Sequence, residues 1–505
     1  MDWWQAVPGA HVIGEGARLA AVTDLTHDSR RAGPGAAFIA VPGARADGHA
    51  FIDRALAAGA PAVVVQSDRE SSWARFAGSA TLVVVPDTRA AMGPLASAVH
   101  GNPTSQLRIV GVTGTDGKTT SSYLIAHVLE SCGLAAGYLT SAGTDVGAGP
   151  EPNDSHMTTV EATVLQAQLA RAVANGKRTM VIEASSEGLA QQRLAGCEVD
   201  VAVFTNLTRD HLDFHGTIEN YLAAKGLLFE MLDAPTEKRF PRAAVLNLDD
   251  AASPTLRLLT RAPVISYGLG DAGDIVATDV EVGSTGLRFN VRRGETAVAV
   301  EAPLFGRFNV YNCLAALGVA RSQGVELNEA AAALASFGGV PGRLEAVDCG
   351  QAFRVYIDIA STPAALENVL KALRPATIGR LWAVFGAAGG RDPARRDGMG
   401  RVAALLADRA VLTNEDPRDE DPDAIIEAIA AGLRDGGRIE EKDFVRRPDR
   451  REAIAYALAN AAPGDTVLLA GKANEPTMIF EGGRQVPWNE RAVAESILRD
   501  SPAAP

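Results

Sequence analysis

The residues with the clearest chemical meaning lie in GVTGTDGKTT, 111–120. An apolar, β-branched run at 108–112 leads into Gly114, Thr115, Asp116, Gly117, Lys118, Thr119 and Thr120, and an amphipathic stretch follows. Glycines allow the tight turn in which successive backbone N–H groups face one anion, Lys118 supplies a full positive charge, and a threonine hydroxyl can reach a magnesium ion. A helix N-terminus at the same place adds its partial positive charge. The pattern predicts a site for the phosphates of a nucleotide, although the general Walker spacing wants glycine where Val112 stands, and Gly111 is one position early.

Two more strand ends carry residue types suited to a metal. Glu183 lies at the end of an apolar run at 179–184, and Asn206, Asp210 and His211 follow another at 201–205. Ligands of open parallel sheets gather at strand carboxyl ends, so these groups can converge on the glycine loop. Magnesium takes oxygen ligands and keeps several waters, so one or two carboxylates beside bound phosphates suffice. Lys225 stands in YLAAKGLLFEML, an apolar helical stretch. By residue type alone, such a lysine packs its stem on the surface and keeps its head in water.

These groups need a scaffold, and the rest of the chain reads as one. Short strand candidates at 62–65, 81–85, 108–112, 179–184, 201–205, 243–246, 381–386, 410–413 and 466–470 alternate with Ala- and Leu-rich helical stretches. That is the pattern of βαβ units, and consecutive apolar positions fit parallel sheets covered on both faces. A chain of 505 residues is too long for one core; at roughly 100–200 residues per domain it should form about three. The polar Pro/Gly segments HGNPTSQ and FGGVPGR place the expected domains at 1–100, 101–337 and 338–505. Between 271 and 300 the pattern alternates, as in a small antiparallel insertion, and SPAAP at 501–505 reads as a loose tail.

The 61 acidic residues against 48 basic ones leave a net charge of −13, which repels a phosphate backbone and argues against nucleic acid as partner. A small anion still fits, because local N–H groups and a few basic side chains outweigh a diffuse charge at short range. The beginning, MDWWQAVPGAHVIG, lacks the basic and apolar regions of a signal peptide, and no apolar run approaches the ~18 residues of a membrane span. A cytoplasmic location is expected. Cys132, Cys197, Cys313 and Cys349 are widely spaced and form no CxxC pair, so reduced, buried thiols are expected rather than zinc ligands or disulfides.

GTDGKTT resembles the phosphate loop of the Mur ligases, ATP-dependent enzymes that add amino acids to the UDP-linked peptide precursor of the bacterial cell wall. Folylpolyglutamate synthetases share the loop type. HDSRRAGPGAAFIAVPG, VFTNLTRDHLDFHG, VPGRLE and EDPRDEDP narrow the resemblance, over nearly the whole chain, to the tripeptide-synthetase type that adds the third residue. It implies an α/β protein of three domains: an N-terminal uridine-binding domain, a central P-loop parallel-sheet ATPase, and a C-terminal Rossmann-like domain for the amino acid. A monomer acting on small molecules is expected. The implied reaction joins an amino acid, with meso-diaminopimelate favoured, to UDP-N-acetylmuramoyl-L-Ala-D-Glu through an acyl phosphate, releasing ADP and phosphate. Lys118, Glu183, His211 and Lys225 are then catalytic. Thr119, Glu183, His211 and Lys225 would serve two Mg²⁺ ions, with Lys225 carrying a CO₂-derived carbamate. Burial lowers a lysine's pKa and so provides the neutral amine that CO₂ must meet.

The same resemblance assigns Ser29, Asp47 and His49 to the uridine end, and Thr158, Thr159, Ser185 and Arg193 to the diphosphate and muramoyl peptide. Asn309, Asn312, Arg343 and Asp358 match adenosine contacts, although Asn309 read alone suits a helix N-cap. Arg391, Asp416, Arg418, Gly471 and Glu475 match the site of the incoming amino acid. Arg418 is kept, which favours a distal carboxylate. Asp416 stands where the family's diaminopimelate enzymes have Asn, and its added charge would either pair with Arg418 or attract the distal ammonium of a lysine- or ornithine-like substrate. Glu187, Ser361 and Asn474 stand where the family has histidines. Those departures leave open a related ligase acting on another carboxylate outside peptidoglycan, or a non-catalytic protein that binds nucleotide. The intact loop, Glu183, His211 and Lys225 favour a working ligase.

Overall fold

The computed structural model describes residues 2–500 apart from 44, 45, 154, 156, 271, 284, 285 and 295, so the expected tail at 501–505 lies outside the described residues. The chain divides into two compact units, Met1–Val276 with Leu314–Ala330, and Ala277–Cys313 with Ala331–Pro505.

The first unit contains two sheets. The smaller runs His11–Ile13, Leu82–Val85, Val63–Gln66, Ala36–Ile39, Asp24–Thr26, parallel except at its first pair. In the larger, Arg108–Thr113 is central, flanked by Thr179–Glu183 on one side and Val201–Phe204 on the other, all parallel. Ala136–Leu139 lies beyond the first neighbour; Ala243–Asn247 and Val264–Gly268 lie beyond the second. The chain therefore leaves the central strand in one direction and returns in the other, and ligands of such sheets bind at the carboxyl ends beside that reversal. Register makes the point concrete: Val112 pairs with Glu183 and Thr113 with Phe204, so Gly114, Glu183 and the segment after Phe204 emerge at one edge.

All six residues of the central strand are buried. Covered on both faces, it shows the unbroken apolar pattern that the sequence led us to expect. Helix Ile218–Glu230 lies against it, started by Thr217, whose hydroxyl accepts the Asn220 N–H at 3.2 Å. Gly111 sets how closely that helix approaches: a Cβ there would stand 2.6 Å from Leu228 Cδ1. The glycine one place too early for a Walker loop thus has a packing role.

In the second unit, Gly286–Arg293 and Thr296–Ala302 form an antiparallel pair, the insertion expected from the alternating pattern. The main sheet runs Glu345–Val347, Arg354–Asp358, Thr466–Ala470, Leu381–Phe385, Arg409–Leu412, Phe444–Arg446, parallel except at its first pair. Asp358 pairs with Ala470 and Phe385 with Leu412, so the loops carrying 387–391, 414–418 and 471–475 leave from one edge. The four cysteines are unpaired; Cys197 and Cys313 are buried, Cys132 and Cys349 only partly so. Among the described residues, no helix is long and apolar enough to cross a membrane.

Gly111→Val should push Leu228 away and displace the helix that carries Lys225. We expect a loss of about 1–3 kcal/mol in a denaturant titration, the usual cost of overpacking, together with reduced turnover. An unchanged midpoint would show that the helix yields without cost.

Candidate active site

The glycine loop is built as its chemistry requires. Gly114 has φ 148° and Gly117 φ 81°, and a Cβ on Gly114 would stand 1.8 Å from Thr205 Oγ1. Only glycine fits there. The loop is clamped from the neighbouring strand: the Thr115 N–H donates to the Asn206 carbonyl (2.8 Å), the Asp116 N–H to Asn206 Oδ1 (2.9 Å), and Thr205 Oγ1 to the Asp116 carbonyl (2.7 Å). Lys118 opens helix Lys118–Ser131 and folds back over the loop, donating to the Gly114 and Thr115 carbonyls at 3.2 and 2.7 Å. Its ammonium is therefore at the place where phosphate oxygens would lie. Thr120 follows in the first turn of that helix.

Beside the loop, Thr119 Oγ1 donates to Glu183 Oε1 at 2.7 Å, and the Ser141 hydroxyl is 3.1 Å from Thr119. Glu183 is buried, and its other oxygen accepts the Ser141 N–H. These hard oxygen donors fit a magnesium ion. Among the described residues no three His, Cys, Asp or Glu side chains converge, which suits an ion completed by phosphates and water. His211 is exposed, in the left-handed region (φ 51°), with Asp210 at 3.5 Å and the Tyr221 ring at 5.9 Å. No hydrogen bond joins it to Glu183.

Lys225 is 1% exposed, so it is not the surface lysine that its residue type alone would predict. Its Nζ donates to the Gly114 carbonyl at 2.6 Å and lies 4.1 Å from the centre of the Tyr221 ring. Burial, reinforced by the charge of Lys118, pulls its pKa down to about 6, so the neutral amine prevails at pH 7. Tyr221 links the set: its hydroxyl lies 3.2 Å from Thr115 Oγ1, and its ring also meets His215 at 5.2 Å. His215 Nε2 lies 3.0 Å from Ser186 Oγ, and burial, then the charges of His211 and Lys225, lowers its pKa. Sequence reasoning missed both residues. Tyr221 is four residues before Lys225 on one helix, and that i,i+4 spacing was the available signal.

The peptide-end candidates are partly engaged. Thr159 Oγ1 donates to the Glu183 carbonyl (2.7 Å) and accepts the Ser185 N–H (2.9 Å), while Ser185 caps its helix by accepting the Gly188 N–H (3.1 Å). Arg193 is buried, with Nη1 donating to the Thr159 carbonyl at 2.9 Å and Nε 3.2 Å from Glu161, which also binds Arg89 at 3.0 Å. Its guanidinium shapes the segment around Thr159 rather than standing open to a phosphate. Thr158 lines a small cleft with Thr140 and Asn153. Ser29 is buried in the turn after Asp24–Thr26. His49 is buried with Nδ1 2.7 Å from Asp47 Oδ1, and Nε2 accepts the Gln66 N–H at 3.1 Å. That pattern assigns a neutral ring protonated on Nδ1.

Helix Phe308–Ser322, which begins in the second unit, includes Asn309 in its first turn, so Asn309 is not the N-cap. Asn309 Nδ2 donates to the Phe305 carbonyl and Asn312 Nδ2 to Asn309 Oδ1, both at 2.7 Å. Asp358 accepts the Leu344 and Ala360 N–H groups at 2.8 and 2.9 Å. Burial pushes its pKa up, while Arg343 pulls it down.

Arg391, Asp416, Arg418 and Glu475 come together, as the resemblance implied, lining a cavity of about 250 Å³ with Ser361, Arg395, Arg396 and Glu415. Of the outcomes expected for Asp416, pairing with Arg418 is not the one the structure shows. Asp416 Oδ1 accepts Lys472 Nζ at 2.8 Å and the Ile479 N–H at 2.9 Å, so its charge is met by a fully buried lysine and not by Arg418. Lys472 also reaches Glu475 at 2.5 Å. Neither Lys472 nor Glu415 was foreseen. Lys472 lies between Gly471 and Glu475, and the acidic residue at 416 was the signal that a buried cation would be near.

Comparison with known proteins agrees with this arrangement. Residues 21–100 match the model described as Mur ligase family, catalytic domain; residues 112–320 match the Mur ligase middle domain, and 342–473 the Mur ligase, glutamate ligase domain. A UDP-N-acetylmuramoyl-L-alanyl-D-glutamate--2,6-diaminopimelate ligase of Geobacillus thermodenitrificans is 41% identical over 95% of each chain. A UDP-N-acetylmuramyl-tripeptide synthetase of Deinococcus radiodurans is 43% identical over 95% of each. A solved UDP-N-acetylmuramoyl-L-alanyl-D-glutamate--2,6-diaminopimelate ligase is 32% identical and covers 99% of each chain with a TM-score of 0.68. The MurF ligase of Thermotoga maritima with ADP, 21% identical, shares the fold at a TM-score of 0.59 over 96% of this chain and 98% of that one. With its glycine loop, its three α/β domains and its full-length relatives in agreement, the chain belongs to the Mur ligase family.

Proposed function

We propose that this protein is the ATP-dependent ligase that adds meso-diaminopimelate to UDP-N-acetylmuramoyl-L-Ala-D-Glu in the cytoplasm, where ATP and the UDP-linked precursor meet. The observation that carries the reading is full-length similarity at 41% identity to a relative of that name, joined to a C-terminal cavity that keeps Arg418 and meets the charge of Asp416 with Lys472. The segments 1–100, 101–337 and 338–505 would serve the uridine end, ATP and the amino acid in turn, within a monomer.

A substrate carboxylate is a poor electrophile. Its oxygen attacks the γ-phosphorus of ATP, the bond to the β-phosphate oxygen breaks, and ADP leaves an acyl phosphate. The amine of the incoming amino acid then attacks the acyl carbon, the carbon–oxygen bond to phosphate breaks, and the amine's excess protons pass to solvent. The N–H groups of Gly117, Lys118 and Thr119 at the helix start hold the phosphates, and Lys118 balances charge on the transferring group. Magnesium, when bound at Thr119 and Glu183, stabilises the same oxygens. Arg418 receives the distal carboxylate of the amino acid, and Asn309, Asn312, Arg343 and Asp358 serve the adenosine. We further propose that the neutral amine of Lys225 takes up CO₂, so that a carbamate beside Gly114 supplies the anion that a second metal ion needs. Its burial and low pKa support this.

Phosphate release by purified protein with ATP and Mg²⁺, measured against UDP-muramoyl peptides crossed with amino acids, tests the reading. Release that requires UDP-N-acetylmuramoyl-L-Ala-D-Glu and is fastest with meso-diaminopimelate is expected. No release with any UDP-linked acceptor would sink it in favour of a ligase for another carboxylate. Lys225→Ala should cut turnover by about 100-fold or more, with partial recovery on adding formate or acetate; full activity in that variant would remove the carbamate.

A further inference from the structure

Glu161 stands where a helix begins and does not serve that helix. It occupies the N-cap position of Ala162–Ala174, yet its side chain makes no capping hydrogen bond; an N-cap side chain ordinarily accepts from the first free N–H groups. Its two oxygens go elsewhere. Oε1 lies 3.2 Å from Arg193 Nε, and Oε2 accepts from Arg89 Nη1 at 3.0 Å. Arg89 belongs to helix Thr88–Val99, which follows strand Leu82–Val85 of the smaller sheet, whereas Arg193 follows strand Thr179–Glu183 of the larger. One carboxylate therefore ties together the two sheets of the first unit.

The same seam is closed by its neighbours. Ala162 is fully buried in the core that contains Leu25, Ile39 and Leu95, and Thr163 Oγ1 lies 3.3 Å from His27 Nδ1. The start of helix Ala162–Ala174 is thus docked on residues 1–100. On the other side of Glu161, Arg193 is 8% exposed and gives Nη1 to the Thr159 carbonyl and Nη2 to Gln191 Oε1, both at 2.9 Å. Those two acceptors are neutral, and the next carboxylate, Glu187, lies 3.8 Å away. Removing the charge of Glu161 would leave two guanidinium groups, one of them buried, without their shared counter-charge.

On the ligase reading above, the acceptor spans this seam: Ser29, Asp47 and His49 serve its uridine, Thr159 and Ser185 its diphosphate and peptide. A molecule gripped at two ends gains from the second grip only when the distance between the grips matches its own length. We propose that Glu161 is a positioning residue that fixes this span, holding Arg193 and the Thr159 segment in register with the helix of Arg89. The assignment rests on the ligase reading and goes beyond it, since Glu161 acts through the two arginines and needs no contact with the acceptor.

The test uses the full-length enzyme with Mg²⁺ and meso-diaminopimelate. Three constants are measured for wild type, Glu161→Gln, Arg89→Ala and the double variant: KM for UDP-N-acetylmuramoyl-L-Ala-D-Glu, KM for ATP, and the inhibition constant of UMP against the acceptor. UMP carries the uridine but neither the second phosphate nor the muramoyl peptide, so it reports one grip alone. Glu161→Gln should raise the acceptor KM about tenfold while the other two constants stay within about twofold. Arg89→Ala should act in the same direction, and the double variant should lie within about twofold of the larger single change, because both remove one link. An acceptor KM near wild type in Glu161→Gln overturns the assignment, and so do additive effects in the double variant. A parallel rise of all three constants overturns it too, since that marks a loosened fold, as does UMP that fails to compete in the wild type. If Glu161→Gln does not fold, Arg89→Ala decides by the same three constants. Wild-type protein that releases no phosphate with this acceptor marks the failure of the ligase reading itself, and the assignment falls with it.

Discussion

One backbone carbonyl organises the nucleotide end of this protein. The oxygen of Gly114 accepts from Lys118 at 3.2 Å and from Lys225 at 2.6 Å. Two ammonium groups on one carbonyl repel each other, and the buried one yields. Lys118 stands at a helix start, whereas Lys225 is sealed beneath the loop and against Tyr221, where burial and the charge of Lys118 lower its pKa. The separation of roles between two chemically identical side chains thus follows from burial and mutual repulsion. It depends on Gly114, because only a residue without Cβ clears Thr205 and turns that carbonyl toward both lysines.

The amino-acid end follows a different rule, in which charge is met by charge until little is left over. Arg450 and Glu490 form a fully buried pair, extended by Trp488 donating to Glu490 at 2.6 Å and by Arg450 donating to the Ala470 carbonyl at 2.9 Å. This network fixes the strand end from which Gly471 emerges. Buried ion pairs add little net stability but penalise misplacement of either member strongly. Such a network gives the neighbouring cavity a rigid polar wall.

Much of this was legible in the sequence because parallel strands buried on both faces leave an unbroken apolar signature. All nine strand candidates correspond to strands, among them Arg108–Thr113, Thr179–Glu183 and Thr466–Ala470. Ala136–Leu139, Ala-Gly-Tyr-Leu, was not legible, since it has no β-branched residue and owes its strand state to pairing with Thr179–Glu183. The phosphate loop was legible because its chemistry is local. Tyr221, His215, Glu415 and Lys472 were not, because their meaning lies in partners far along the chain: Thr115 for Tyr221, Ser186 for His215, Asp416 for Lys472. The internal partners of Arg193 were hidden for the same reason. A sequence cannot show that its guanidinium is already held by Thr159 and Glu161.

The three replaced histidines can now be weighed by what surrounds them. Glu187 accepts from Gln191 at 3.1 Å and lies 3.8 Å from Arg193, on the segment that shapes Thr159. Ser361 lines the amino-acid cavity, and Asn474 lies beside Gly342, ahead of Arg343. At Glu187 the replacement even brings its own partner, since a carboxylate next to Arg193 gains an attraction that a neutral imidazole would not. Lys118, Thr119, Glu183 and Lys225 are all retained, and the hydrogen bonds of Thr119 to Glu183 and of both lysines to the Gly114 carbonyl stand beside these replacements.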